Sequence, residues 1–211
     1  MEKGDYYYWD EYYRQKRAEE QPSLFALYVM SGLSAQESLI DLGCGNGRDA
    51  LFFHRNLIRV TAIDQSPAAI SMMQASGPED IQCVCGDITK VSSLCEGDFD
   101  NAYSRFSIHA LTYEQQQDLI GEINSILKPG GRLWIEVRSV KDTLYGLGEQ
   151  AGRNAFVYDG HYRRFIVLEE LLGELESNGF GVVEAQESSG FAPYRGDDPV
   201  VIRITAKKHM P

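Results

Sequence analysis

Three glycines at alternating positions, Gly43, Gly45 and Gly47, stand in the stretch "LIDLGCGNGRD", with Asp41 just ahead of them. Glycine takes positive φ without strain and, lacking a Cβ, lets a ligand lie against bare main chain. A dinucleotide loop would read G-x-G-x-x-G, and a phosphate loop would carry Lys and Ser or Thr after its last glycine. The spacing here is G-x-G-x-G and no lysine follows. An acid ahead of such a loop suits the cationic end of a ligand better than pyrophosphate. Two more acids follow in similar settings. Asp64 closes the apolar run "RVTAID", where a carboxylate could take both hydroxyls of a ribose, and Asp87 sits in "CGDIT".

A second group of residues has the opposite character. "YSRFSIHAL" supplies Tyr103, Arg105, Phe106 and His109. A histidine there could act as a general base, since its ordinary pKa lies near neutrality, or it could simply cap a helix. Further on, "RNAFVYDGHYRRF" holds Arg153, His161, Tyr162, Arg163 and Arg164, and a late loop adds Tyr194 and Arg195. In a chain with net charge -11, this concentration of Arg, His and Tyr suggests an anionic acceptor, because guanidinium groups bind carboxylate or phosphate bidentately. The alternative is that Arg163 and Arg164 pair with Glu169 and Glu170 at a helix start.

These residues need elements to position them. Apolar strand-like runs at 38–42, 59–64, 81–86, 99–106 and 132–137 alternate with helical patterns at 47–56, 66–76 and 113–128. This rhythm predicts a mostly parallel, doubly wound α/β sheet with helices on both faces, the glycine loop and the acids lying at its carboxyl edge. Ser66 before Pro67 reads as a helix N-cap, and "KPGG" at 128–131 as a helix stop. After Ser139 the rhythm fails. The stretch from Ser139 to Phe165 shows weak periodicity and reads as an insertion above the sheet, at about 139–167. A helix at 168–179 and strands at 180–188 and 199–208 follow it.

At the N-terminus, residues 6–13 pack five tyrosines and a tryptophan. So many aromatic residues must cover something. The region 1–37 is therefore expected either to form an aromatic helical lid over the ligand or to pack against the sheet edge.

Taken in order, "LIDLGCGNGRD", "AIDQS", "CGDIT" and "LKPGGRLWIEV" resemble the four motifs of the class I S-adenosylmethionine-dependent methyltransferases, over roughly Ser38 to Val137. The resemblance implies a Rossmann-like sheet of seven strands with an antiparallel last strand. It also implies S-adenosyl-L-methionine as cofactor. Asp41, Gly43, Cys44, Gly45, Asn46 and Gly47 would then line its methionine part. Asp64 and Gln65 would meet the ribose and Asp87 and Ile88 the adenine, with Arg105, Phe106, Tyr8 and Tyr13 also close to it. "PSLFA" with the helix after it is similar to the tellurite-resistance-like branch, and "SRFSIHAL", "DGHYRRF" and "DPVVIRI" to methyltransferases associated with surface polysaccharides. The expected activity is O-methylation of a small anionic acceptor, with His109 and Arg105 catalytic. Arg153, His161, Tyr162, Arg163, Arg164, Tyr194 and Arg195 are the candidate acceptor contacts. A thiol or chalcogen acceptor, which needs no base, and a non-catalytic cofactor-binding protein stay open beside it.

Bulk properties narrow the field further. With 211 residues, one well-cored domain is expected at 38–211. The negative charge opposes general nucleic-acid binding, and no stretch has the length or apolarity of a membrane span. The acidic, aromatic N-terminus does not read as a secretory leader, so a cytoplasmic address is expected. Cys44, Cys83, Cys85 and Cys95 have no ligand-like spacing, so they are expected to be reduced thiols, with no metal site. The expected partner is a small-molecule acceptor, with no nucleic acid or membrane, and the chain is expected to be a monomer or homodimer. The N- or D-PPY signature of DNA amino-methyltransferases is absent. A nicotinamide oxidoreductase fits Asp64 but not the position of the third glycine.

Overall fold

The computed structural model describes residues 3–15 and 21–210. Seven strands form the main sheet: β1 (Ser38–Leu42), β2 (Arg59–Asp64), β3 (Gln82–Cys85), β4 (Phe99–Arg105), β5 (Leu127–Arg138), β9 (Phe180–Ser188) and β10 (Val201–Lys208). Their order is β3-β2-β1-β4-β5-β10-β9, and β10 runs antiparallel to both its neighbours while the remaining pairs are parallel. The polypeptide thus leaves β1 toward one edge and returns through β4 toward the other. The switch point between β1 and β4 lies beside the glycine loop, where open α/β sheets bind ligands.

Side chains alternate across each strand, so the core divides in two. On one face Ile40, Ile63, Ala102, Leu133 and Ile135 pack with Leu119, Ile120 and Ile123 of α6 (Tyr113–Ile126) and with Leu171 and Leu175 of α7 (Leu168–Ser177). On the other, Leu39, Val60, Ala62, Tyr103 and Trp134 pack with Phe53 of α3 (Arg48–Arg55) and Met73 of α4 (Pro67–Ser76). Phe25, Ala26 and Val29 of α2 (Leu24–Met30) are fully buried in this second layer, so α2 is a piece of the core. Sequence signals and structure agree closely here. Ser66 caps α4 by accepting from the Ala69 N–H, with Pro67 in the first turn, and Thr112 and Gln115 form a reciprocal capping box on α6.

The region after Ser139 departs from the expectation of an irregular stretch. It holds a second, three-stranded antiparallel sheet: β6 (Glu149–Gly152), β7 (Ala155–Tyr158) and β8 (His161–Arg164). These strands are short, and their buried positions are partly polar, so no apolar alternation announces them. Strand β5 also begins at Leu127, ahead of the start expected at Arg132, because Leu127 already pairs with Phe99 ahead of a bulge. Helix α1 (Lys3–Gln15) precedes the core elements, and the one-turn helix α5 (Val91–Leu94) follows β3. Among the described residues no helix is long and apolar enough to cross a membrane.

Candidate active site

The carboxyl ends of β1, β2 and β4 open into a cavity of about 670 Å3, covered by α1, β8 and the loop before β10. The glycines explain its floor. Gly43 has φ +80° and its N–H joins that of Cys44 on the Ile63 carbonyl, at 2.8 and 3.0 Å. A Cβ at Gly43 would come within 2.7 Å of the Ser107 Cβ, so the residue has neither the backbone freedom nor the room for a side chain. Gly45, at φ +55°, donates its N–H to Asp64 Oδ2 at 2.8 Å. A Cβ there would lie 2.3 Å from the Tyr13 hydroxyl. Gly47 starts α3 with φ +83° and abuts Met73.

Three carboxylates gather under this loop. Asp41 is 3% exposed, lines the cavity, and accepts no hydrogen bond from the described residues. Burial, then the charges of Asp49 and Asp64, push its pKa well above the usual carboxylate range. Asp49 is buried too, and burial alone would raise it. The guanidinium groups of Arg48 and Arg105 and the donors of Ser23 outweigh that and hold it low. Its Oδ2 also accepts from the Tyr103 hydroxyl at 2.8 Å. Asp64 is raised by burial, although the N–H groups of Ser66 and Gly45 oppose the shift. One of its oxygens thus braces the glycine loop and the other the start of α4, while the residue lines the cavity.

The opposite end is cationic and aromatic. Arg105, at the end of β4, donates Nε to the buried Glu136 at 2.9 Å, and Glu136 takes Arg203 Nε on its other oxygen at 2.7 Å. The Arg105 guanidinium lies 4.5 Å over the Phe106 ring. Phe106 itself sits at φ +55°, a strained conformation for a bulky residue, held by its N–H on the Glu136 carbonyl. Phe106 stacks on His109 at 5.5 Å. His109 and His161 are both buried, and none of their ring nitrogens has a hydrogen-bond partner among the described residues. Burial lowers His161 from 6.5 to about 3, helped by Arg163 and Arg138. Burial also drives His109 well down, with His161, Arg138, Arg163 and Arg105 acting in the same sense. The premise of a histidine titrating near neutrality is therefore corrected: both imidazoles are neutral.

The candidate residues sort as follows. Asp41, Gly43, Cys44, Asn46, Asp64, Gln65, Ile88, Arg105, Phe106, His109, His161, Arg163, Tyr194 and Arg195 line the one cavity, together with Tyr8 and Tyr13. Gly45 and Gly47 shape its floor from behind. Asp87 is outside the lining, and its Oδ1 accepts the N–H and hydroxyl of Thr89 and caps the turn after β3. Arg153 is outside as well, paired with Glu170 at 2.7 Å over the Tyr113 ring. Alternation along β8 sends His161 and Arg163 into the cavity and leaves Tyr162 and Arg164 off its lining. Arg164 is buried, with Nε on the Leu111 carbonyl at 2.9 Å and Nη2 on Gln116, so it ties β8 to α6. The pairing of Arg163 and Arg164 with Glu169 and Glu170 does not form.

Sequence reasoning overlooked Arg138, Asp197 and Asp10. Arg138 ends β5 at the same sheet edge, lines the cavity, and is paired to Asp142 and Asp197. Its place could have been found from the strand's length. Asp10 has no such signal. On α1 it accepts from the Ser66 hydroxyl and the Ala68 N–H, both at 3.0 Å, and so latches α1 onto the start of α4. Tyr8, Trp9, Tyr12 and Tyr13 of α1 line the cavity roof, while the side chains of Tyr6 and Tyr7 lie outside the described residues.

The comparisons with known proteins agree with this geometry. A family model described as a methyltransferase domain matches residues 40–135. An uncharacterized methyltransferase of Synechocystis is 28% identical over 101 residues, which are 47% of this chain and 46% of that protein, so the similarity spans about half of each. Among solved structures, a SAM-dependent methyltransferase of Methanosarcina mazei superimposes with TM-score 0.74 at 18% identity, over 87% of this chain and 98% of that one. The Burkholderia thailandensis 1,6-didemethyltoxoflavin-N1-methyltransferase, bound to that compound and S-adenosylhomocysteine, gives 0.67 at 23%, over 88% and 76%. Fold and site together define the class: this is a class I S-adenosylmethionine-dependent methyltransferase fold. The match to the methyltransferase-domain model falls on the first five sheet strands.

Proposed function

We propose that the protein transfers the methyl group of S-adenosylmethionine to an oxygen of a small anionic acceptor. The observation that carries this reading is the division of one cavity into an anionic end at the glycine loop and a cationic end at β4, β5 and β8. The cofactor's chemistry matches the first end. Asp41, a buried carboxyl with no donor among the described residues, suits its ammonium group, whose charge would bring the raised pKa back down, and Gly43 leaves the main chain bare beside it. Asp64 and Gln65 would meet the ribose. The adenine would lie near Ile88, which lines the cavity where Asp87 does not. The roof of α1 excludes water and offers π faces to a sulfonium.

When bound, S-adenosylmethionine supplies an electrophilic methyl carbon whose bond to sulfur breaks, its electron pair staying on sulfur, as the acceptor's bond to it forms. The protein's own part is alignment and charge. Arg163 lines the cavity, half-buried, and makes no hydrogen bond or ion pair with the described residues, so it is available to an anion. Arg105 is pre-oriented by Glu136 with its outer nitrogens uncommitted among those residues. His109, held neutral, keeps a lone pair for the proton of an acceptor hydroxyl, and an anion between the arginines would raise its basicity.

The first test is calorimetry with S-adenosylhomocysteine, then a methyl-transfer assay on small carboxylates and phosphates. Asp41→Asn should weaken cofactor binding by about tenfold or more, as expected for losing one charged hydrogen bond. Unchanged affinity would remove Asp41 from the ammonium site. Full turnover in His109→Gln would turn the reading toward a thiol or chalcogen nucleophile, which needs no base.

A further inference from the structure

The cationic end holds more recognition chemistry than one anion and one base require. His109 and His161 are 5% and 4% exposed, their ring centroids are 6.2 Å apart, and all four ring nitrogens are unpartnered among the described residues. Buried polar atoms are nearly always hydrogen-bonded, so four together mark a place that the polar groups of a ligand complete. A neutral imidazole offers one donor and one acceptor. A divalent cation is the wrong occupant, because Arg105, Arg138 and Arg163 surround the pair with positive charge.

The walls around the pair are aromatic. Tyr8 stacks on His161 at 4.5 Å, Trp9 meets its edge at 4.9 Å, and Phe106 stacks on His109 at 5.5 Å. Carboxylate and carboxamide groups are scarce at this end. Among the described residues Asp197 is the one acid lining it, and Asp197 is engaged by Arg138. A sugar with several hydroxyls would find too few acceptors here. A flat ring with one hydroxyl or ring N–H and one acidic group would be fully matched.

We infer that the acceptor is a planar aromatic or heteroaromatic acid. Its ring packs among the aromatic side chains of Tyr8, Trp9 and Phe106, its carboxylate or phosphate lies on Arg163, and its hydroxyl or ring N–H bonds to the His109–His161 pair. This inference rests on the methyl-transfer reading above and names the acceptor class of that same site.

The test is calorimetry on the full chain loaded with S-adenosylhomocysteine, titrated separately with 4-hydroxybenzoate, cyclohexanecarboxylate, glucose 1-phosphate and inorganic phosphate. 4-Hydroxybenzoate should bind at least tenfold more tightly than each of the others. Arg163→Gln and His161→Leu should each weaken it at least tenfold while S-adenosylhomocysteine affinity stays within twofold. Equal binding of the flat and the puckered carboxylate overturns the inference, as does a preference for glucose 1-phosphate, wild-type affinity in His161→Leu, or failure of all four probes to bind. These first comparisons use the wild-type chain, so they hold even where a variant misfolds. The two readings also fail separately. Absent S-adenosylhomocysteine binding strikes the cofactor reading, whereas the comparison of the two carboxylates, repeated on the unloaded chain, still decides the acceptor class.

Discussion

Gly43→Ala is the substitution for which the structure supplies the most complete arithmetic. The residue sits at φ +80°, and the left-handed region costs a residue with a Cβ about 1–2 kcal/mol. The added methyl would stand 2.7 Å from the Ser107 Cβ, a distance that forces movement, and overpacking of this kind costs about 1–3 kcal/mol. Ser107 cannot yield freely, because its hydroxyl donates to the Leu42 carbonyl and contacts Ser104. The combined cost is about 2–5 kcal/mol, which in a chain of this size lowers Tm by roughly 4–20 °C. Thermal unfolding followed by circular dichroism measures it. Ser107→Gly in the same chain removes the clash and leaves the backbone strain, so the double variant should recover the steric share, about 1–3 kcal/mol. A single variant melting within 1 °C or so of wild type would refute the reasoning. A double variant no more stable than the single one would show that the clash is not the cause.

Two other outcomes follow from the buried charges. Glu136, 1% exposed, is shared by Arg105 and Arg203, and removing the common partner of buried charges costs about 3–5 kcal/mol. Urea unfolding of Glu136→Gln should show that loss, and it should shrink in an Arg203→Met background; a loss under about 1 kcal/mol would mean the arginines are resolvated. The second outcome concerns pH. The folded pKa of His161 lies near 3 against 6.5 for a solvated imidazole, so between those values the unfolded chain binds a proton that the folded chain refuses. Its neutral burial therefore contributes nothing adverse above about pH 6.5 and costs stability as the pH falls below it, by about 1.4 kcal/mol per unit, or roughly 2 kcal/mol at pH 5. His109 acts in the same direction. His161→Gln should flatten the decline of Tm between pH 7 and pH 5, and parallel profiles for the two proteins would sink the assignment.

The two ends of the cavity were unequally legible, for a physical reason. The anionic end is written locally. A strand, a glycine turn and a helix start within about a dozen residues, and the apolar runs 38–42 and 59–64 coincide with β1 and β2 to the residue. Ligand loops of this kind need short-range backbone features that only certain residues supply. Arg138, Arg163 and His109, by contrast, come from β5, β8 and the turn after β4, and tertiary structure alone brings them together. The failure at Arg164 has a single origin. Recognised as a strand, 161–164 would have divided by alternation into His161 and Arg163 on one face and Tyr162 and Arg164 on the other. A strand whose buried positions are histidine and arginine carries no apolar alternation, so the pattern that would have made the division was not there to read.

That same substitution of polar for apolar residues at buried positions joins the fold to its chemistry. A strand covering a cavity mouth could satisfy packing with Val and Ile. Here β8 spends His161 on the cavity and Arg164 on the Leu111 carbonyl and Gln116, so the segment that anchors the roof is also the segment proposed to recognise the acceptor. Helix α1 closes over it through Tyr8 on His161 and through Asp10 on the cap of α4, whose N-terminus stands directly after Asp64. The roof thus touches both ends of the cavity at once. Docking of α1 is coupled to the cationic end by one ring stack and to the glycine-loop end by one carboxylate, and a ligand at either end meets an element that the other end helps to hold.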